Sequence, residues 1–502
     1  MKRPSLNWVG IQAGLWVYVG LAAITLTFLL NNDRISAIIA GVVCGGVFAF
    51  SRYVLYLPVF SVPMLYLGML ALFHLGLVVP WALGIYDPWE VGWFRGAELT
   101  SALVLVILAF TCLQLGLILR AHSQLKAPRL LRTSAKQSVL VERNLVGVGI
   151  VLLLGSVSLY LFGLLIVFGT DFVTTIYTDI YRLVQETDSR WYGVGTILMP
   201  IGVYVSASGA SRKQMVMLLP LIGLWALWNL LLGFRGRALV VVVVLLFVLI
   251  KKGYRIPLGL LAALLVSVLY LIPVVRSARE ELPSRRDYVG SLREEAHPLR
   301  GIAEMGGSIW PLVETCRLMD ASQSRYGKTY LYTLRTIFPN IALRYKPGES
   351  RRKLDLESSP AYWFVWMMNP GKFRRYGGYG FSTIAEAYLN FGYAGVVVFF
   401  LGLGFVLAWM EQVATRSAFA LAGVTVVLAP LLWTVRNDFS VFTRAAVWGL
   451  AFVAIAWVYC KAVVRRDAPA PKPVQGSALG GSKRQVGQVA TSRNGGEETA
   501  GG

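Results

Sequence analysis

The chain has 502 residues, 56% of them hydrophobic and 15% charged, which is more apolar surface than a water-soluble protein of this length buries in ordinary domains. Its formal charge of +22 is spread over many short loops and is not gathered on one soluble unit, so nucleic acid is not the partner it indicates. Cys44, Cys112 and Cys460 fall in apolar runs and Cys316 in a polar loop, a scatter that gives neither a disulfide framework nor a CxxC metal site.

Apolar runs of membrane-crossing length recur along the first 465 positions and predict an all-α polytopic membrane protein of about twelve transmembrane helices with one large outer loop. In chain order they are Trp8 to Leu30, Ile35 to Phe50, Leu57 to Tyr86, Leu99 to Leu119, Asn144 to Phe168, Trp191 to Ser208, Met215 to Leu232, Ala238 to Ile250, Ile256 to Val275, Ala387 to Met410, Ser417 to Val435 and Ala445 to Val464. The first is too long for a signal-peptide core and has no small-residue cleavage site before the next polar loop. Met215 to Ile250 reads as two short helices joined at GFRGR, although Ala238 to Ile250 alone is about half a membrane thick; as a single helix it would move every later loop to the other side.

Alternate loops are basic, from Lys2 and Arg3 through Arg52, Arg120 to Arg143, Arg212 with Lys213, Lys251 with Lys252 and Arg255, Arg416, and Arg465 with Arg466, which predicts that both termini are cytoplasmic. The chain then divides into a membrane bundle of about nine helices over 1–275, a large outer loop over 276–381, about three further membrane helices over 382–464 and a disordered cytoplasmic tail over 465–502. The loop carries an apolar stripe, Ile302, Met305, Ile309, Leu312, Val313, Cys316 and Met319, with helical spacing, placed to lie on the membrane surface or to cap the bundle.

The chain has no Walker loop, no GxGxxG, no HExxH and no DxD pair, so any phosphate it handles falls to its own cations. The stretch Arg276 to Phe381 holds 18 Lys plus Arg against 11 Asp plus Glu, and arginines inside and outside it stand at outer helix ends: Arg182, Arg190, Arg235, Arg237, Arg276, Arg279, Arg374, Arg375, Arg436 and Arg444. Each alone reads as a snorkelling anchor. As a set rich in arginine they suit an anion, because a planar guanidinium grips phosphate through two parallel hydrogen bonds. In GFRGR, Gly233 and Gly236 let backbone approach a ligand while Arg235 and Arg237 are presented, against the plainer reading of a tight turn with interfacial anchors.

Glu386, Asn390 and Tyr393 follow at i, i+4 and i+7, with Tyr379 a further seven residues back, so a polar seam is expected to enter the membrane there. Glu386 is either a structural partner of one outer arginine or a half-buried carboxylate at a mouth, placed to take a proton from an acceptor hydroxyl, work worth roughly 10²- to 10⁴-fold in rate.

Three stretches carry a family resemblance: GFRGRALVVVVVLLFVLIKK (Gly233 to Lys252), YGKTYLYTLRTIFPNIALRYKP (Tyr326 to Pro347) and GYGFSTIAEAYLNFGYAGVVVFFLGLG (Gly378 to Gly404). The chain resembles the Wzy-type O-antigen and oligosaccharide repeat-unit polymerases of bacterial envelopes. The resemblance implies a glycosyltransferase of the bacterial inner membrane that moves a growing glycan from undecaprenyl pyrophosphate onto a newly flipped lipid-linked repeat unit. It implies no nucleotide or metal cofactor, and it implies as partners the undecaprenyl-pyrophosphate-linked oligosaccharide, membrane lipid, and a flippase and a chain-length regulator of the same pathway. On this resemblance Glu386, Arg235 and Arg237 are the expected catalytic residues, and Arg276, Arg279, Arg374, Arg375, Tyr379 and Asn390 the expected substrate-binding ones. A flippase of the lipid-linked sugar, a ligase of finished glycan and a non-catalytic scaffold are the alternatives, with the flippase disfavoured by the lack of inverted repeats.

Overall fold

A computed structural model describes residues 6–86, 97–123, 135–169, 190–231, 235–280, 298–319, 324–338, 359–374 and 378–466. Every regular element among them is helical. The tail from 467 onward lies outside the described residues.

The first four are α1 (Leu6–Leu30), α2 (Asp33–Tyr53), α3 (Val62–Leu75) and the short α4 (Val78–Ala82). Asn32 starts α2, its side chain accepting from the Arg34 and Ile35 amides at 3.0 and 3.2 Å. The run Leu57 to Tyr86, expected as one helix, is split at Gly76 and Leu77, where Pro80 has no N–H for the Gly76 carbonyl and the backbone of α11 (Pro298–Gly306) packs onto the junction. A methyl on Gly306 would stand 2.0 Å from the Leu77 nitrogen, and one on Gly76 would stand 2.8 Å from the Ile302 carbonyl oxygen.

Then follow α5 (Ala97–Ser123), α6 (Ala135–Phe168), α7 (Arg190–Gly209), α8 (Arg212–Leu231), α9 (Arg235–Lys251) and α10 (Leu258–Glu280). Met215 to Ile250 is thus two helices, as the hairpin reading expects. Helix α5 is central: 83% of its apolar window is buried, against 22% for α1, and it packs on α1, α2 and the long helix over Thr383–Val413. That last crossing is backbone on backbone, since a methyl on Gly404 would stand 2.1 Å from the Leu113 carbonyl oxygen and one on Gly116 as close to that of Leu401. Helices α6 and α7 pair the same way through Gly149, Gly163, Gly195 and Gly202. Small residues matter here because apolar side chains gain little by leaving lipid for one another.

After α11 and a short 3₁₀ turn come α12 (Trp310–Leu318), α13 (Lys328–Arg335), α14 (Pro360–Met368) and α15 (Pro370–Arg374). The apolar stripe over 302–319 packs on the bundle: Met305, Ile309, Leu312 and Val313 are buried, and α11 and α12 pack on α3, α5 and α10. The chain ends in α16 (Thr383–Val413), α17 (Ala418–Thr434) and α18 (Ser440–Arg466).

Seven described helices are long and apolar enough to cross a membrane. They coincide with seven of the expected spans. Three more, over Val62–Leu75, Gly259–Leu271 and Ala418–Thr434, are shorter apolar helices. The other two, α7 and α9, each begin at an arginine.

Side-chain bonds define two ends of the bundle. At one, Glu411 near the end of α16 pairs with Lys251 at the end of α9 and accepts from the Val62 amide at 2.9 Å, Arg120 of α5 donates to Gln412 at 2.9 Å, and Lys252 donates to the Ser208 carbonyl of α7 at 2.8 Å. At the other, the start of α16 meets the ends of α3 and α17 and the start of α18.

Candidate functional site

The second end is built around Ser382. Its hydroxyl oxygen accepts from the Ile384 and Ala385 amides at 3.2 and 3.4 Å and so starts α16. It also lies 2.7 Å from Nε2 of the fully buried His74, whose Nδ1 is 3.0 Å from the Leu70 carbonyl. A carbonyl only accepts, so Nδ1 carries a proton, and on a neutral ring Nε2 accepts the Ser382 O–H. Thr383 donates to the Thr434 carbonyl at 2.6 Å and the Phe381 amide to the Arg436 carbonyl at 2.8 Å, tying α16 to the end of α17.

One turn into α16 stands Glu386, 1% exposed. Its Oε1 accepts from the Thr329 hydroxyl at 2.8 Å and its Oε2 from the Phe439 amide at 2.7 Å. The expected half-buried carboxylate at an open mouth is therefore corrected: the group lies inside, covered by α13 and the turn before α18. Asn390, one turn on, donates through Nδ2 to the Thr329 hydroxyl at 2.7 Å and to the Glu386 carbonyl at 2.8 Å, and its Oδ1 accepts from the Gly327 amide at 3.0 Å. Its own carbonyl accepts from the Tyr326 amide and the Ser324 hydroxyl, and that of Leu389 from the Arg325 amide. Segment 324–329 is thus laid along the first two turns of α16.

The seam expected through Tyr393 stops at Asn390. Phe391 and Gly392 leave helical geometry, and Gly392 takes φ +60, ψ −149, a conformation that glycine reaches at little cost. Tyr393 lies beyond the kink, 44% exposed, edge-on to Tyr388 at 5.4 Å. Tyr379 precedes the helix altogether. It packs edge-on against Trp310 at 4.7 Å and Phe364 at 6.1 Å, with the Lys372 ammonium 3.7 Å from its ring centre.

A second carboxylate that the sequence reading did not single out, Asp438, is 3% exposed next to Phe439. It accepts from the hydroxyls of Ser359 and Ser440, both at 2.6 Å, and so anchors the start of α14 beside the start of α18. Segment 324–338 is fixed on its far side as well: Arg444 Nε donates to the Thr336 carbonyl and Trp448 Nε1 to that of Ile337 at 2.8 Å.

The GFRGR arginines belong to the same end. A methyl on Gly236 would fall 2.1 Å from the Trp433 ring, so the α9 backbone touches that indole, which immediately precedes Thr434. Arg237 donates to the Tyr192 hydroxyl at 3.2 Å and lies 6.0 Å from the centre of that ring. Arg235 opens α9, Arg276 and Arg279 lie in the last two turns of α10, Arg374 closes α15, and Arg375 lies outside the described residues. Three further arginines stand at this end: Arg325 5.7 Å from the Trp363 ring centre, Arg436 6.0 Å from that of Phe73, and Arg444. The structure joins Glu386 to Asn390 directly, puts Tyr379 in the adjoining aromatic cluster, and brings the α9 terminus to the same rim. Thr329, His74, Ser382 and Asp438 were missed. Only Ser382 carried a local signal, as a hydroxyl residue just ahead of an apolar periodic run.

One curated relative is Protein CapE of Staphylococcus aureus, 24% identical over 294 residues, a match covering 58% of this chain. The chain thus spans 60% of the length of that relative. No solved structure matches the chain. The family model of O-antigen polysaccharide polymerase Wzy matches residues 15–466, and the chain belongs to that family.

Proposed function

We propose that this chain joins lipid-linked oligosaccharide repeat units into a surface or secreted polysaccharide at the outer face of the bacterial cytoplasmic membrane. Undecaprenyl pyrophosphate carries both the donor and the acceptor. The growing glycan leaves its pyrophosphate and is joined to a hydroxyl of the incoming unit. A base takes the hydroxyl's proton, and the departing pyrophosphate keeps the bonding electron pair as added negative charge. Family membership supports the polymerase reading.

The observation that carries the assignment of roles is the meeting of the α9 terminus with the Glu386 carboxylate at one rim, through Gly236, Trp433 and the turn that leads to Phe439. Arg235 and Arg237, with Arg276, Arg279, Arg374 and Arg375, receive the pyrophosphate. Glu386 is the base. A hydroxyl, that of Thr329, already rests on it, and the acceptor's hydroxyl takes that place when Thr329 gives way. Asn390 orients the hydroxyl from the other side, and Tyr379 offers a ring edge to sugar.

The opposite end holds Arg120, Arg143, Arg212, Lys213, Lys251, Lys252 and Arg255, which favours that end as cytoplasmic. With twelve crossings both termini are cytoplasmic and 276–381 is the outer loop. A flippase supplies the unit and a chain-length regulator limits the product.

The test is a deletion strain complemented with Glu386→Gln, Arg235→Ala or Arg237→Ala. Each variant is expected at normal level in the membrane while single lipid-linked units accumulate and long chains vanish. Long glycan persisting in all three would overturn the roles, and loss of outward translocation in the deletion strain would favour a flippase.

A further inference from the structure

At the end of the bundle away from Glu386 the structure holds a cavity of about 1040 Å³ that the reaction above does not use. The α7–α8 and α9–α10 loops and helix α6 line it, and they bring Arg143, Arg212, Lys213, Lys252 and Arg255 together with Tyr254. No acidic residue stands among the described residues lining it. The charge bias of cytoplasmic loops accounts for cations at this end, but it does not require that two loops and a helix turn theirs into one concavity, where like charges repel.

Two observations say what kind of anion fits. Arg212 opens α8, whose stretch Arg212–Leu230 is long and apolar enough to span, and Arg143 stands in α6 at the head of the apolar stretch Arg143–Phe168, so the cavity lies at headgroup depth. Directly below, the same two helices turn exposed apolar side chains outward: Val151 and Leu154 on α6, Val216, Met217 and Leu224 on α8. At 1.5 Å per residue these begin about 6 Å beneath Arg212 and about 12 Å beneath Arg143, where acyl chains lie. We infer that the cavity binds a lipid headgroup carrying two phosphates, the chemistry of cardiolipin, with its chains along α6 and α8. Five cations exceed what one phosphodiester balances, and a free anion would have no use for the apolar flanks.

The inference is independent of the polymerase reading, and its test reads lipid and not glycan. Full-length protein is placed in phosphatidylcholine nanodiscs with titrated cardiolipin, and bound lipid is counted by native mass spectrometry. Arg212→Gln with Arg255→Gln is expected to weaken cardiolipin binding roughly 10- to 30-fold, while Arg52→Gln with Arg416→Gln, which removes as much charge at the same end, shifts it less than about 2-fold. Arg212→Lys with Arg255→Lys separates charge from misfolding and is expected to keep most of the binding. Equal loss in the Gln pair and the control pair overturns the site, as does equal loss in the Lys and Gln pairs. Displacement of cardiolipin by millimolar inorganic pyrophosphate in the wild-type protein makes it a free-phosphate site and overturns the lipid assignment.

Discussion

Asn390 and Thr329, 61 residues apart in the chain, meet inside the protein: the Asn390 amide donates to the Thr329 hydroxyl at 2.7 Å, and that hydroxyl donates to Glu386 at 2.8 Å. With Glu386 ionised the order is fixed, because a carboxylate only accepts and an NH₂ only donates, so the hydroxyl between them does both. Thr329 is therefore one tie of segment 324–338 to α16, beside the bonds that Ser324, Arg325, Tyr326 and Gly327 make to Leu389 and Asn390.

Thr329→Val keeps the volume and removes the relay, leaving a buried carboxylate oxygen and a buried N–H each short of a partner. The cost is about 1 to 3 kcal/mol per orphaned group. Amides of 324–338 are expected to exchange with solvent roughly tenfold faster or more, with Thr329→Ser restoring protection. Unchanged exchange in the valine variant would mean that the segment is held by other contacts, such as the Arg444 and Trp448 bonds.

Gly236→Ala tests whether the α9 terminus must touch the end of α17. The added methyl falls on the Trp433 ring, so helix or indole must shift, at a cost of about 1 to 3 kcal/mol. The variant is expected to melt at lower temperature in detergent and to yield less polymer. Trp433→Leu in the same chain should recover both. Without that recovery the contact is not what positions Arg237.

Much of this architecture could be read from hydropathy, because a helix in lipid declares itself by length and apolar content, and the seven helices long enough to span among the described residues fall on expected runs. Glu386 and Asn390 were legible as an i, i+4 pair on one helix. Their partners were not, since nothing local marks Thr329 or the Phe439 amide as the group that will arrive from elsewhere in the chain. The break at Gly76 had a local sign in Pro80, which has no N–H for the carbonyl four residues back, but the α11 backbone that packs there was hidden for the same reason. Asp438 is a lone acid in a short turn, and its burial depends on Ser359, 79 residues away.

The Lys251–Glu411 pair ties α9 to α16 at the end away from the site, with the two side chains 11% and 13% exposed. Lys251→Met leaves Glu411 charged and nearly enclosed, which costs about 3 to 5 kcal/mol. A marked fall in melting temperature is expected, and Glu411→Gln in the same chain should return much of it by removing the orphaned charge. Additive losses in the double variant would show that the two side chains do not act as a pair.

Cys316 offers a test of which end faces outward. Burial, and secondarily the carboxylate of Glu98, push its thiol up to about 12, so at pH 8 only about one thiol in 10⁴ is thiolate, the form that reacts. The native chain is therefore expected to take up maleimide slowly at Cys316 and quickly once denatured. Against that quiet background, Phe338→Cys places an exposed thiol at the Glu386 end and Lys213→Cys one at the opposite end. A membrane-impermeant maleimide added to intact spheroplasts should mark the first and spare the second until the membrane is opened. The reverse pattern would put the Glu386 end in the cytosol, where no lipid-linked unit already carried outward could reach it.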